Sequence, residues 1–335
     1  MENTLFNQTL MKKYSGKLNL TPKKHDLLKE YIAKLDAADF KSETKNFLYF
    51  YDVVLKGILG YKREDVLFDE KEDVGIGKSE FVLKSDNKKF MVIELKGQGT
   101  NLDKCQSGRS DNKSPVEQAF GYVINTGDVD WIMVSNYDEF RLYNYYEKTK
   151  YISFKARELL DKEKFTYFML AFSRDSHIDS GYIHKAREGT LILDRKLASE
   201  FYKLYNETRL MLIKGLESES QMERLDAIHY AQLIINRYMF ICFAEDTNLL
   251  PPQISIDTIA TPIQKGNIRH RIIWQCLNEL CLDINEGNEF KKISEFNGGL
   301  FSEDLDFIKT RDIVNDQDFF KDTYQDWNFE EYEKV

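Results

Sequence analysis

A change in hydrophobic period is the sequence feature that most restricts the fold. From residue 42 to 59 the apolar side chains recur at intervals of three and four, which predicts an amphipathic helix. Between residues 65 and 145 they form short runs instead, which predict strands at 65–68, 80–83, 90–96, 131–135 and 139–145. One helix, at 115–124, interrupts these strands. This order predicts an α/β domain with one mixed central sheet flanked by helices.

The rest of the chain has helical periodicity. Residues 1–38 are predicted to form an N-terminal helical lead, with one helix carrying an apolar stripe. Beyond residue 157 the strand pattern fades, and helices are predicted at 161–172, 194–214, 221–244 and 266–285. We therefore divide the chain into the lead at 1–38, the α/β domain at 39–157 and an all-α region at 158–335.

Charge is unevenly distributed along the chain. The formal net charge is −9, but residues 302–335 contain eleven acidic and four basic residues, a net of −7. The first 301 residues therefore carry only about −2, and a near-neutral body can still present a local basic cleft to phosphates. The acidic C-terminal tail is predicted to be solvated or to face a partner.

Cysteine usage and hydropathy bear on the compartment. The four cysteines, at 105, 242, 276 and 281, form no CxxC pair, which favours reduced thiols in a cytoplasmic protein. No secretory leader is recognisable, and no apolar run reaches the length of a membrane span. With 42% hydrophobic residues, global disorder is not expected.

The strand at 90–96 contains the residues best suited to chemistry. Side chains alternate along a strand, so Glu94 and Lys96 point the same way while Ile93 and Leu95 enter the opposite, buried face. A carboxylate can hold Mg²⁺, and a neighbouring ammonium can orient an attacking water or stabilise charge on a phosphate. The alternative is an exposed ladder pair on a half-buried strand, because Glu-x-Lys alone is a common pattern.

A metal site needs a second carboxylate. Glu80 begins the preceding strand, and an antiparallel hairpin would bring that strand beside 90–96. Glu80 and Glu94 would then share one hard cation. Asp73 and Asp86 are rivals for this role, although Asp86 is more simply explained as a turn residue.

The helix at 115–124 offers two polar side chains on one face. Gln118 and Tyr122 are four residues apart, so they lie one helical turn from each other. A carboxamide and a hydroxyl both suit contacts to a phosphate or a scissile strand. The alternative is a capped amphipathic helix with Tyr122 half buried.

Together these pieces resemble a known family. The order Glu80, Glu94-Leu95-Lys96 and Gln118-x-x-x-Tyr122 resembles the PD-(D/E)xK nuclease superfamily, in the branch with a trailing QxxxY motif. Residues 94–103 (ELKGQGTNLD) and 114–120 (SPVEQAF) look like the nuclease domain of type IIG restriction–modification enzymes, and 131–136 (WIMVSN) with 139–143 (EFRLY) look like its closing hairpin. Residues 236–246 (NRYMFICFAED), 249–251 (LLP) and 296–301 (FNGGLF) resemble the helical connector of those enzymes.

The resemblance implies a role for each residue. Glu80 and Glu94 would ligate Mg²⁺, Lys96 would assist the water, and Gln118 would position the water or the substrate, with Tyr122 beside it. Glu43 matches a family acid that can approach the metal; it is equally well explained as a first-turn residue favoured by the helix dipole.

The chain departs from the family in two ways. Glu80 stands where the family usually has Asp, so the first ligand would reach the metal through a longer side chain. No Asn-Pro-Pro-Tyr-type motif or glycine motif for S-adenosylmethionine occurs, so that cofactor is expected only in a full-length enzyme. The sequence is therefore expected to be the front portion of such an enzyme: a truncated chain, one part of a split gene or a remnant.

The polar loop at 97–114 is a candidate DNA contact. Its Lys104, Arg109 and Lys113 suit a phosphate backbone beside a metal site, although an ordinary surface loop explains them as well. The predicted function is a Mg²⁺-dependent endonuclease acting on double-stranded DNA in phage defence. The alternative is a catalytically silent nuclease-like module for DNA binding or assembly, serving a methyltransferase or specificity partner.

Overall fold

The structure is a computed structural model that describes residues 2–37, 40, 43–68, 81–86, 88–105, 112–127, 129–264, 270–296, 298–303, 305 and 308. The side chains of 43–45, 125–126, 261–264 and 270–272 are outside this description. The chain forms two compact units, Met1–Arg195 and Lys196–Val335. All chemistry discussed below lies in the first.

A six-stranded sheet forms the centre of the first unit, with its strands in sequence order. Only β3 and β4 run parallel, and the helix between them makes the crossover; every other pair is antiparallel. This confirms the predicted mixed sheet. The strands are β1 Val66–Phe68, β2 Phe81–Ser85, β3 Lys88–Leu95, β4 Trp131–Ser135, β5 Glu139–Asn144 and β6 Tyr151–Lys155.

Helices cover both faces of this sheet, as predicted. Five belong to the first unit: α1 Gln8–Ser15, α2 Pro22–Asp36, α3 Glu43–Tyr49, α4 Pro115–Thr126 and α5 Lys162–Phe172. The chain of α3 continues as a π-helix, Phe50–Ile58, which ends before Gly60 in a left-handed conformation (φ +85°) that favours glycine. Helix α6, Tyr182–Glu219, begins within the first unit, and the described residues beyond it form α7 Arg224–Asp246, α8 Ile254–Gln264 and α9 His270–Glu286.

The two faces of the sheet bury different side chains. One face packs on α2, α5 and the π-helix through a large aromatic core that includes Phe81, Trp131 and Phe140. The other packs on α4 through a smaller core of Val92, Ile132 and Tyr143 with their neighbours. Because side chains alternate along a strand, the side chain of Glu94, two positions after Val92, also lies on the second face.

Several elements differ from the sequence prediction because distant residues stabilise them. Strand β6 was not predicted; its free edge is covered by the N-terminal chain, where Ser153 donates to the carbonyl of Glu2 at 2.8 Å. The lead contains α1 in addition to α2, and α8 was also missed. Helix α6 begins twelve residues before the predicted start, and Gly189 within it allows Leu10 of α1 to approach closely.

Residues 158–195, which we assigned from the sequence to the all-α region, lie in the first compact unit. The domain bounds themselves stay a prediction. The second unit is helical and has two apolar cores, one around Ile241 and Leu280 and one around Leu216 and Ala231. No helix in the described part of the chain has the length and apolarity needed to cross a bilayer.

Candidate active site at the end of β3

Glu94 and Lys96 lie at the carboxyl end of β3, on the face that packs against α4. Val92, two residues before Glu94, belongs to the α4 core, whereas Ile93 belongs to the aromatic core on the other face. The alternation predicted from the sequence is therefore confirmed. Glu94 sits opposite Val134 of the parallel strand β4, in the middle of the sheet.

The two charged groups form a buried ion pair. The Nζ atom of Lys96 lies 2.5 Å from Oε1 of Glu94, and the two side chains are only 5% and 2% exposed. The alternative of an exposed ladder pair is therefore wrong: both faces of the sheet are covered here. Transferring two charges out of water costs several kcal/mol per ion, and a buried pair rarely recovers more than that cost. Such pairs are a common feature of functional sites.

The chain leaving β3 is held in place by backbone contacts. The amide of Lys96 donates to the carbonyl of Ser135 at 2.8 Å, which extends the parallel pairing by one residue. Beyond it, Gln98 donates through its backbone and side chain to the carbonyls of Phe40 and Leu35, each at 2.9 Å. These bonds fix the direction of the loop that begins beside the ion pair.

Helix α4 starts with a strong local signal. Ser114 accepts from the amide of Glu117 and donates its own amide to the Glu117 carboxylate, a complete capping box, with Pro115 at the first helical position. These hydrogen bonds from Ser114 lower the pKa of Glu117. The cap sets the start of α4, and with it the positions of Gln118 and Tyr122.

Gln118 and Tyr122 are both buried, on the side of α4 that meets the sheet. Gln118 is 3% exposed, and its amide donates to the carbonyl of Lys113 at 3.1 Å. Its Oε1 atom is buried without a hydrogen-bond partner among the described residues, which leaves an acceptor available. Tyr122 belongs to the apolar core with Val92. The structural alternative predicted a half-buried ring, but Tyr122 is buried, with 8% of its surface exposed.

The sequence analysis missed Arg141. This side chain lies on β5 opposite Val134, so it is two strands, or about 10 Å, from Glu94 on the same face. It donates to both carboxylate oxygens of Asp103, at 2.7 and 3.0 Å, and to Glu139 at 2.7 Å. Burial would lower the pKa of Arg141, but these bonds outweigh it and raise the pKa. A signal existed: Arg141 stands between the apolar Phe140 and Leu142 in an alternating strand.

The remaining predicted residues fall into three groups. Lys104 and Lys113 are exposed in the loop that Asp103 anchors to Arg141. Asp86 is exposed in the β2–β3 turn with a left-handed backbone (φ +53°), which supports the turn explanation for it. Outside the described residues lie Glu80, Asp73, Arg109 and the side chain of Glu43.

Among the described residues no group of three or more His, Cys, Asp or Glu side chains is placed to hold a metal ion. The described part of the site supplies one carboxylate, that of Glu94. Mg²⁺ keeps several waters and commonly takes only one or two protein carboxylates, the rest coming from substrate phosphate. The Glu94 carboxylate, with the Lys96 ammonium beside it, could therefore bind Mg²⁺ together with one further ligand.

No protein-family description, curated protein or solved structure matches this chain.

Proposed function

We propose that the first unit is a Mg²⁺-dependent DNA endonuclease domain of the PD-(D/E)xK type, the nuclease part of a type IIG-like restriction–modification enzyme. The observation that carries the proposal is the buried Glu94–Lys96 pair at the carboxyl end of β3. A fold needs no ion pair at this position, since an apolar pair of similar volume would serve stability as well or better. Chemistry explains why both charges are present.

The topology around the pair supports a restriction-endonuclease-like fold. An antiparallel hairpin, β2–β3, is followed by the α4 crossover to the parallel strand β4. In sheets with parallel strands, ligands bind outside the carboxyl ends of the strands, which is where Glu94 and Lys96 lie. The six-stranded mixed sheet is common to many folds, so the motif residues, rather than the sheet, favour this one.

Glu94 and Glu80 would hold the metal. Glu80 directly precedes Phe81 in the sequence, and Phe81 pairs with Ile93, the neighbour of Glu94 on β3. When bound, Mg²⁺ would stabilise negative charge on the scissile phosphate and make the attacking water more acidic.

Lys96 and Gln118 would handle the water and the phosphate. The ammonium of Lys96 is placed by Glu94, so its remaining protons can donate to the attacking water and to the phosphate oxygen on which charge develops. The Oε1 atom of Gln118, which has no partner among the described residues, would accept a hydrogen bond from that water. The water oxygen bonds to phosphorus as the phosphorus–oxygen bond to the leaving strand breaks, and the proton that the water loses is balanced by the one that the leaving oxygen takes up. Burial excludes competing water from the pair.

A plasmid assay tests this function. Supercoiled plasmid is incubated with the full chain and Mg²⁺, and nicked and linear products are measured. We expect cleavage by the wild type and its loss in Lys96→Ala. The matched control is Asp65→Asn, which weakens another ion pair of the same unit, between the buried Asp65 and the partly buried Arg174 at 2.7 Å.

The control separates a loss of catalysis from a loss of folding stability. Circular dichroism shows whether each variant is folded at the assay temperature. Cleavage by folded Lys96→Ala at the wild-type rate would remove the pair from the mechanism. Absence of cleavage by the wild type with either Mg²⁺ or Mn²⁺, combined with salt-dependent DNA binding, would instead support the silent binding or assembly module.

A further inference from the structure

A second charged feature lies in the N-terminal segment. Residues 3–25 contain five lysines and no Asp or Glu, in a chain whose net charge is −9. This segment is folded, since it forms α1 and the first turn of α2. Its charge therefore has a fixed position on the surface, unlike that of a basic tail.

Two tyrosine rings organise the lysines. Tyr14 of α1 and Tyr182 of α6 pack at 5.7 Å between ring centroids. Lys13 and Lys17 lie over the Tyr14 ring at 5.6 and 5.3 Å, and Lys17 and Lys185 lie over the Tyr182 ring at 5.8 and 5.2 Å. Cation–π contacts thus hold three ammonium groups close together. We call Lys13, Lys17 and Lys185, together with the two rings, the lysine–tyrosine patch.

The patch lysines have no carboxylate partner within the described residues. Lys185 donates to the carbonyl of Ser180 at 3.0 Å. Lys13 stands in the last turn of α1, where the helix dipole favours a cation. Ammonium groups clustered without a carboxylate partner in this part of the chain favour a bound polyanion.

We propose that the lysine–tyrosine patch binds the phosphate backbone of double-stranded DNA. The identity of this partner rests on the proposed function, but the binding does not depend on cleavage. Several ammonium groups on one surface release counterions from a duplex, and this release is the main source of affinity in sequence-independent binding.

Other polyanions fit the patch less well. A membrane surface would need exposed apolar side chains to insert, and between Gln8 and Asp36 no large hydrophobic side chain is fully exposed. Single strands bind by stacking bases on open aromatic rings. Tyr14 and Tyr182 are partly buried and contact each other, so they offer little open ring surface.

The patch lies apart from the proposed active site. Helix α1 packs against α5, and Met11 joins the aromatic core with Ile93, on the face of the sheet opposite Glu94. DNA bound at the patch would therefore not cover the Glu94–Lys96 pair. The patch would hold the enzyme on DNA independently of whether a scissile phosphate is engaged.

Equilibrium binding of a short fluorescent duplex, measured by anisotropy in EDTA, tests the proposal. The variant is Lys13→Gln/Lys17→Gln/Lys185→Gln. The control removes three exposed lysines of the same unit outside the patch, Lys56→Gln/Lys155→Gln/Lys162→Gln, and so changes the net charge equally. We expect the patch variant to bind roughly tenfold more weakly, with the slope of log K against log salt reduced by about 2.7, and the control to change both little.

The outcomes distinguish the alternatives. Equal losses in the two triple variants would overturn the proposal, since net charge alone would then account for binding. Binding of phosphatidylserine vesicles that is lost in the patch variant, without DNA binding by the wild type, would overturn it in favour of a membrane. Glu94→Gln separates DNA binding from cleavage. If this variant no longer cleaves but binds the duplex as the wild type does, the result supports the patch. If the wild type does not cleave, yet its duplex binding depends on the patch, only the nuclease proposal is rejected.

Discussion

The two faces of the central sheet are both buried, yet they are built differently. The face on α2 and α5 is a dense aromatic core in which Phe140 contacts Phe50 and Phe168. The face on α4 has a smaller apolar core and places Glu94, Lys96 and Arg141 on the same surface. The first face maximises burial of apolar area, which is the main source of stability. The second accepts charged groups where apolar ones would pack at lower cost.

The difference indicates where stability and function are located. If the aromatic face carries the stability, changes there should unfold the protein. If the charged face exists for chemistry, its charges should be removable together with little loss of stability and complete loss of activity.

The largest effect is expected on the aromatic face. Phe140→Ala removes a ring that is 1% exposed and contacts four others. We expect the free energy of unfolding to fall by about 3–5 kcal/mol, because the cavity cannot collapse fully. Urea unfolding followed by circular dichroism measures it. A loss below about 1 kcal/mol would mean that this face is not the stability core.

The charged face should respond differently to single and double changes. Lys96→Met leaves the Glu94 carboxylate buried without its ammonium, which should cost about 3 kcal/mol or more. The double variant Glu94→Leu/Lys96→Met should recover most of that loss and can exceed wild-type stability. Urea unfolding of the two variants is the measurement. Equal destabilisation of the single and double variants would show that the ion pair itself stabilises the protein, which contradicts the proposed difference between the two faces of the sheet.

Acid should weaken the aromatic face through His177. Burial lowers the pKa of His177 to about 3, from an ordinary value of 6.5, with its Nε2 donating to the carbonyl of Ala171 at 2.8 Å. The unfolded chain therefore binds a proton that the folded chain excludes, and stability falls as pH drops below about 6.5. Between pH 7.5 and 5.0 we expect this group to contribute a loss of about 2 kcal/mol.

The control for this loss is His177→Gln, which keeps a donor but does not titrate. Urea midpoints at the two pH values are compared for wild type and variant. The variant should lose less stability on acidification. An equal loss would assign the acid sensitivity to other groups.

The smallest effect is expected at the cap of α4. Ser114→Ala removes the side-chain half of the capping box and should cost about 1 kcal/mol. Because α4 carries Gln118, we also expect slower DNA cleavage in this variant. Unfolding and cleavage rates are measured together. Unchanged stability would show that packing on the sheet, rather than the cap, fixes the start of α4.

Local sequence pattern predicted the elements that depend on local residues. Strand β4 was predicted at its observed bounds because its run is uniformly apolar, and the start of α4 was predicted from Pro115 and the apolar spacing. Strand β6 was missed because its edge is completed by residues about 150 positions earlier. No local pattern records such a contact.

For the candidate site too, the sequence predicted what depends on neighbouring residues and missed what depends on distant ones. Alternation along β3 correctly placed Glu94 and Lys96 on one face. It could not show that α4 would bury that face, because burial depends on a helix twenty residues away. Alternation along β5 also indicates the face on which Arg141 lies, but that signal was overlooked. Its pairing with Asp103, 38 residues away in sequence, is decided by the fold and leaves no local pattern.

Metal binding at Glu94 decides whether the end of β3 is a metal centre. Free Mn²⁺, as a stand-in for Mg²⁺, is measured by electron paramagnetic resonance during titration of the wild type, Glu94→Gln and Lys96→Met. We predict that the wild type binds the ion, that Glu94→Gln does not, and that Lys96→Met binds at least as tightly because the competing ammonium is gone. Undiminished Mn²⁺ binding by folded Glu94→Gln would contradict a metal centre at the end of β3.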